Sequence, residues 1–159
     1  MFGQISKLQQ AEHWHRILRF NVPPARSCAF PHIGDGSFLL DFWATSCGGC
    51  VQEIPMFIEV ANAYKGRGFE AIGVSEDIVY EDLKNADEAW QRVTPFARER
   101  KIPYPIVMGD SLVTADYDIK ALPLTCLIDN EGRVAATYLG VVERSNLETN
   151  VKALLAEAR

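Results

Sequence analysis

Between Ser37 and Tyr64 the hydrophobic period changes at a single point, and that point carries two cysteines three positions apart, Cys47 and Cys50. The run SFLLDFWA, residues 37–44, is apolar almost without a break. That is the pattern of a strand covered on both faces, not of a half-exposed strand with alternating sides. Asp41 is out of place in it. From Cys50 onward, Ile54, Phe57, Val60, Ala61 and Tyr64 fall at helical spacing, and Gly66 and Gly68 supply stop signals after Lys65. A second strand, FEAIGVS, follows at 69–75. A right-handed crossover through the intervening helix makes it parallel to the first, so the chain is committed to an α/β fold.

The flanks fill in the rest. SKLQQAEHWHRILR, residues 6–19, puts Leu8, Ala11, Trp14 and Leu18 on one face and predicts an N-terminal helix. A connector rich in proline and glycine continues to residue 36, with at most a brief strand at Cys28–Phe30. Residues 76–102 are helical in composition, but Thr94 and Pro95 form an N-cap and N1 pair, which predicts two helices. The first lies in an insertion over 76–93 with Leu83, Ala86, Ala89, Trp90 and Val93 on one side; the second covers Thr94–Lys101 and leads into the strand YPIVMGD. LPLTCLID, the turn NEG and RVAATYLG read as a hairpin. A last helix opens on Ser145 and Glu148 as a capping box and buries Leu147, Val151, Leu154, Leu155 and Ala158. The 159 residues are expected to form one domain, a central mixed sheet with helices on both faces and a C-terminal hairpin plus helix.

A net charge of −5 argues against a general electrostatic grip on nucleic acid or an anionic membrane. The longest nearly unbroken apolar stretch, Phe38 to Ala44, is too short to span a bilayer, so no transmembrane segment is expected. The first thirty residues hold no apolar signal core with a small-residue cleavage site. The chain as it stands is therefore expected to be cytoplasmic, or periplasmic or otherwise extracytoplasmic if an export signal or membrane anchor has been removed.

Three readings of the cysteine pair compete. In a strand-to-helix turn Cys47 sits at a helix N-terminus, where free N–H groups and the positive end of the dipole favour a thiolate. Lowering a thiol pKa from about 8.5 to about 7 raises the thiolate fraction at neutral pH from a few per cent to about half. Cys50, one turn further in, is spaced to attack a mixed disulfide on Cys47. Structural zinc wants four ligands, whereas no second cysteine pair exists, His13 and His15 point apart on a helix and His32 is isolated. No metal is expected. Two inert core cysteines remain as the third reading, an unusual one with Gly48 and Gly49 between them.

LLDFWATSCGGCVQEIP closely resembles the active-site segment of thioredoxin-like proteins, particularly the TlpA/ResA-like thiol-disulfide oxidoreductases. ALPLTCLIDNEGRV is similar to their cis-proline strand and hairpin, and the resemblance runs from about Phe38 to the C-terminus. It implies a thioredoxin-like fold and a protein disulfide oxidoreductase with Cys47 as nucleophile and Cys50 as resolver. Its partners would be protein disulfide or dithiol substrates and a redox-regenerating partner; no bound cofactor is implied, and a monomer is expected. Asp41 matches the buried acid of thioredoxin, a proton acceptor for Cys50; the alternative is a hydrated carboxylate at a frayed strand end. Glu53, followed by Pro55, matches the active-site acid of the ResA-like proteins, or else is a solvated helix-surface residue. Pro123 matches the cis-proline, which would face the cysteines and present the backbone of Leu122 to an extended substrate; otherwise it is a strand-edge proline. Trp43 would pack beside the active-site turn, as a plain core tryptophan also would.

Departures from the family pattern bear on specificity. Gly49 stands where proline is common, Ser46 replaces an aromatic residue and Leu122 replaces a smaller one. The insertion EDIVYEDLKNADEAWQRV follows a parallel strand at the sheet edge that also holds the cysteines, so it is expected either to border the cleft and help select the partner or only to cover an edge. Cys126 shares a face with Leu124 and Ile128 and is expected to be buried; a bridge from it to Cys28 stays open. A thioredoxin-fold peroxidase is the nearest rival function. Peroxiredoxins carry a threonine or serine three residues before the reactive cysteine and a proline seven before, where this chain has Ala44 and Leu40. A non-catalytic thioredoxin-like binding module is the other rival, though such a module need not retain both cysteines.

Overall fold

The computed structural model describes residues 36–157. The expected helix at 6–19, the brief strand at 28–30, Cys28 and Ala158 lie outside the described residues. Strand β1 (Ser37–Trp43) runs into helix α1 (Gly48–Tyr64), which returns to β2 (Phe69–Ser75). A short helix α2 (Asp77–Tyr80) and a longer α3 (Ala86–Glu99) precede β3 (Ile106–Met108) and α4 (Ser111–Asp116). The hairpin β4 (Leu124–Ile128) and β5 (Val134–Leu139) and the helix α5 (Arg144–Glu157) complete the described chain. The strands lie in the order β3-β2-β1-β4-β5. β1, β2 and β3 are parallel, whereas β4 runs antiparallel to β1 and to β5, so the sheet is mixed as expected.

β1 is central, and all seven of its residues are buried, which is why its sequence does not alternate. Phe38, Leu40 and Phe42 pack with Ile72, Val74, Val107, Cys126 and Val113 on one face. Leu39 lies on the other, against Phe57, Val60 and Tyr64 of α1 and Leu147, Val151 and Leu154 of α5. Each such side chain removed from water contributes about 1.5–3 kcal/mol. A third cluster at the C-terminal end of β1 joins Trp43, Ala44, Cys47 and Cys50 to Ala89 and Val93 of α3 and to Met108. It seats the cysteine turn directly on the core.

The expected split at Thr94 does not occur. α3 runs through Pro95, and its N-cap is Asn85, whose side-chain oxygen accepts from the N–H of Glu88 at 3.0 Å. Pro95 cannot donate to the carbonyl of Gln91, but Ala89, Val93 and Ala97 are buried along one face that continues across it, so packing outweighs one missing bond. The capping box at the last helix is also corrected. α5 begins at Arg144, ahead of Ser145, and Glu148 pairs with Arg144 Nε at 2.8 Å, one turn back along the helix. Helix α4 was not anticipated; Asp110 caps it, with Oδ1 accepting from Leu112 N at 2.9 Å and Val113 N at 3.0 Å.

Candidate active site

At the end of β1 the chain turns so that Cys47 N donates to the carbonyl of Ala44 at 3.1 Å, and Cys47 becomes the N-cap of α1. Its carbonyl accepts from Val51 N at 3.0 Å, and its sulfur accepts from Cys50 N at 3.3 Å. A free amide of the helix N-terminus therefore points at the sulfur that the sequence singled out. Cys47 and Cys50 are joined in a disulfide of S–S distance 2.12 Å, with Cα atoms 5.3 Å apart. Cys47 is 5 % exposed and Cys50 1 %, so the outer sulfur is that of Cys47.

The peptide bond between Leu122 and Pro123 is cis, and Pro123 lies against the cysteine turn. A Cβ added to Gly49 would stand 3.2 Å from Pro123 Cδ and 3.4 Å from Val141 Cγ2. Gly49 is thus a close-approach glycine, whereas Gly48 faces open space. Leu122, half-buried, packs against the clusters on both sides of it. Val141 is 51 % exposed and forms an apolar shoulder beside the disulfide. Trp43 is buried and stacks on Phe96 of α3 at 5.0 Å between ring centroids, so it supports the turn from beneath and offers no surface to a docking chain.

Asp41 is not at a frayed strand end. It is buried, and neither carboxylate oxygen has a hydrogen-bond partner among the described residues. Burial, and then the charge of Glu53, push its carboxyl well above the ordinary range. Glu53 is not a solvated helix residue either, being 2 % exposed. One of its oxygens accepts from Val142 N, and the other is without a partner among the described residues. Burial pushes Glu53 up to about 7 against the opposing pull of the Val142 bond. The two acids share the space between the sheet and α1 with Tyr104, whose hydroxyl is raised by burial and then by the charges of Asp41 and Glu53. Val142 carried no signal in the sequence, and Tyr104, expected as the start of the strand YPIVMGD, lies instead in the loop ahead of β3, which covers only Ile106–Met108; the course of both loops is fixed by the fold.

A second buried acidic pair lies at the C-terminal end of β2. Asp77 accepts from Ser75 Oγ at 2.8 Å, from Thr45 N at 3.2 Å to each oxygen, and from Thr45 Oγ1. Glu76 accepts from Thr114 Oγ1 at 2.6 Å. Burial pushes Glu76 up to about 7, the Thr114 bond opposes this, and the charges of Asp110 and Asp77 add to it. Ser46, next to Cys47, donates to Glu81, which also accepts from Arg92 Nη1 at 2.9 Å. The segment after β2 therefore borders the cysteine turn. Cys126 is 3 % exposed, on the opposite sheet face among Phe38, Leu40 and Ile128, and burial pushes its thiol up to about 11. Among the described residues, no three His, Cys, Asp or Glu side chains are grouped to hold a metal ion.

Comparison with known proteins agrees with this geometry. The thiol-disulfide oxidoreductase ResA of Halalkalibacterium halodurans is 31% identical over 126 residues, covering 79% of this chain and 65% of that protein. The thioredoxin-like protein YneN of Bacillus subtilis is 26% identical over 110 residues, covering 69% and 60% respectively. The chain thus spans less than two thirds of the length of these relatives. A crystal structure described as a putative thiol:disulfide interchange protein DsbE from Chlorobium tepidum superposes with a TM-score of 0.65 at 25% identity, over 77% of this chain and 82% of that one. The fold is thioredoxin-like, and residues 29–137 match the AhpC/TSA family, to which the chain belongs.

Proposed function

We propose that the protein is a thiol-disulfide oxidoreductase that exchanges disulfides with protein clients through Cys47 and Cys50. The observation that carries this is the disulfide at the N-terminus of α1, packed against Pro123, with the outer sulfur receiving a helix N–H. From the dithiol form, the Cys47 thiolate attacks one sulfur of a client disulfide. The client S–S bond breaks, its leaving sulfur takes a proton, and a mixed disulfide joins Cys47 to the client. Cys50 then loses its proton and attacks Cys47 Sγ, which forms the Cys47–Cys50 bond and releases the second client sulfur as a thiolate. Two electrons pass to the client, and a second dithiol protein returns them by the reverse steps.

Asp41 and Glu53 are the acceptors we assign to the Cys50 proton. Glu53, pushed up to about 7 by burial, is matched to a thiol far better than an ordinary carboxylate, and burial raises Asp41 in the same direction. Leu122 and Pro123, with Val141 beside them, form the rim on which an extended client segment rests, and Trp43 holds the turn beneath it. The chain works as a monomer in this reading. Among the described residues no helix is long and apolar enough to cross a membrane. The cytoplasmic placement expected from the sequence finds no support in the relatives and forms no part of the proposal.

Dithiothreitol-driven reduction of insulin checks the activity, with Cys50→Ala expected to accumulate mixed disulfides through Cys47. Hydrogen peroxide consumption without insulin reduction would instead make the protein a peroxidase, and silence in both assays a binding module.

A further inference from the structure

Asp77 is a wholly buried carboxylate to which the exchange chemistry gives no task. It is also fully occupied, since Thr45 N, Thr45 Oγ1 and Ser75 Oγ all donate to it. A polar side chain taken out of water at this depth is tolerated only when it is hydrogen-bonded, and two of these three donors come from Thr45 in the turn that leads to Cys47. The neighbouring Glu76 N donates to the carbonyl of Trp43 at 2.7 Å, and Ser75 pairs with Trp43 in the sheet. Residues 75–77 thus hold both sides of the point where β1 leaves the sheet.

The link to the nucleophile runs through one peptide unit. The carbonyl of Ala44 and the N–H of Thr45 belong to the same trans peptide, so they point in opposite directions. With the Thr45 N–H held on Asp77, the Ala44 carbonyl is turned away, toward Cys47 N, which donates to it at 3.1 Å. That bond sets the backbone of Cys47 as N-cap, the geometry in which its sulfur meets the Cys50 N–H at 3.3 Å.

We infer that Asp77 is a positioning residue for Cys47, fixing the Ala44–Thr45 peptide and through it the alignment of the Cys47 sulfur with the start of α1. The inference rests on the exchange function proposed above. Glu81 reinforces it one residue further on by receiving the hydroxyl of Ser46.

The test follows alkylation of Cys47 against pH in reduced Cys50→Ala protein, with the modified peptide identified by mass spectrometry. Thr45→Val removes one donor to Asp77 and keeps the β-branched shape. It is expected to raise the pH midpoint of Cys47 by about half a unit, slowing alkylation at neutral pH about two- to threefold, and Thr45→Ser is expected to restore it. In an Asp77→Ala background the same Thr45→Val change is expected to shift the midpoint no further. Asp77→Ala, or Asp77→Leu where the alanine variant does not fold, also removes the acceptor of the Thr45 N–H and is expected to raise the midpoint further than Thr45→Val alone. Variants at both positions that melt earlier but keep the midpoint would assign the contact to stability only and overturn the inference. Loss of insulin reduction in the wild type would sink the exchange function, while the midpoint shift would still be read on the thiol.

Discussion

Cys47→Ser loses about a thousandfold or more of the insulin-reducing rate, with little change in the melting temperature of the reduced protein. The two halves of this expected result have separate causes. Cys47 is the N-cap of α1, and serine is among the preferred residues there, so the helix start survives the exchange of sulfur for oxygen. The hydroxyl, however, is hardly ionised at neutral pH and forms no disulfide, so the first attack disappears. Cys50→Ser behaves differently. It leaves the attack intact, gives one turnover to the mixed disulfide and stalls there. Turbidity kinetics together with non-reducing electrophoresis separate the two variants. A Cys47→Ser protein retaining a tenth of the wild-type rate would remove Cys47 from the role of nucleophile.

Stability of the oxidised protein falls as pH rises from about 4.5 to about 8, the second large effect. Burial pushes Glu53 and Glu76 both up to about 7 in the fold against an ordinary glutamate value of 4.5. A group whose folded pKa is raised binds its proton more tightly in the native state. Its contribution is complete below the unfolded value and is lost as pH climbs through the folded one. For Glu53 that loss is up to about 3 kcal/mol, from the size of the shift. Asp41, raised by burial and then by Glu53, acts in the same direction. Asp129, held below the ordinary range by hydrogen bonds from Arg133 and Glu131 that outweigh its burial, contributes oppositely, and its part is lost only in more acidic solution. Urea midpoints at pH 5 and pH 8 check the slope. Asp41→Asn and Glu53→Gln are each expected to flatten it and to stabilise the protein at pH 8, while slowing resolution by Cys50. Equal midpoints at the two pH values would contradict the burial of these acids as charged groups.

How much of this was legible depends on what each residue answers to. The unbroken run at Ser37–Trp43 and the helical spacing after Cys50 report burial directly, so β1, α1 and their parallel return to β2 could be read from the sequence. Pro95 could not, because its local preference for a helix start is overridden by the face of Ala89, Val93 and Ala97, which packing supplies. Asp41 advertised itself as a carboxylate among apolar neighbours. Asp77 did not, since in EDIVYED it looks like any solvated acid, and only its place at the end of β2 brings it to Thr45. Glu53 needed the family pattern for the same reason: it is buried, and the N–H that it receives comes from Val142, 89 positions away.

Cys126, sealed in the sheet face away from the active site, gives the molecule an internal clock. Reagents that react with the Cys47 thiol of the reduced protein reach Cys126 only through an opening of the sheet. Labelling of the Cys126 peptide in the native protein therefore follows opening of the sheet, read separately from the thiols of Cys47 and Cys50.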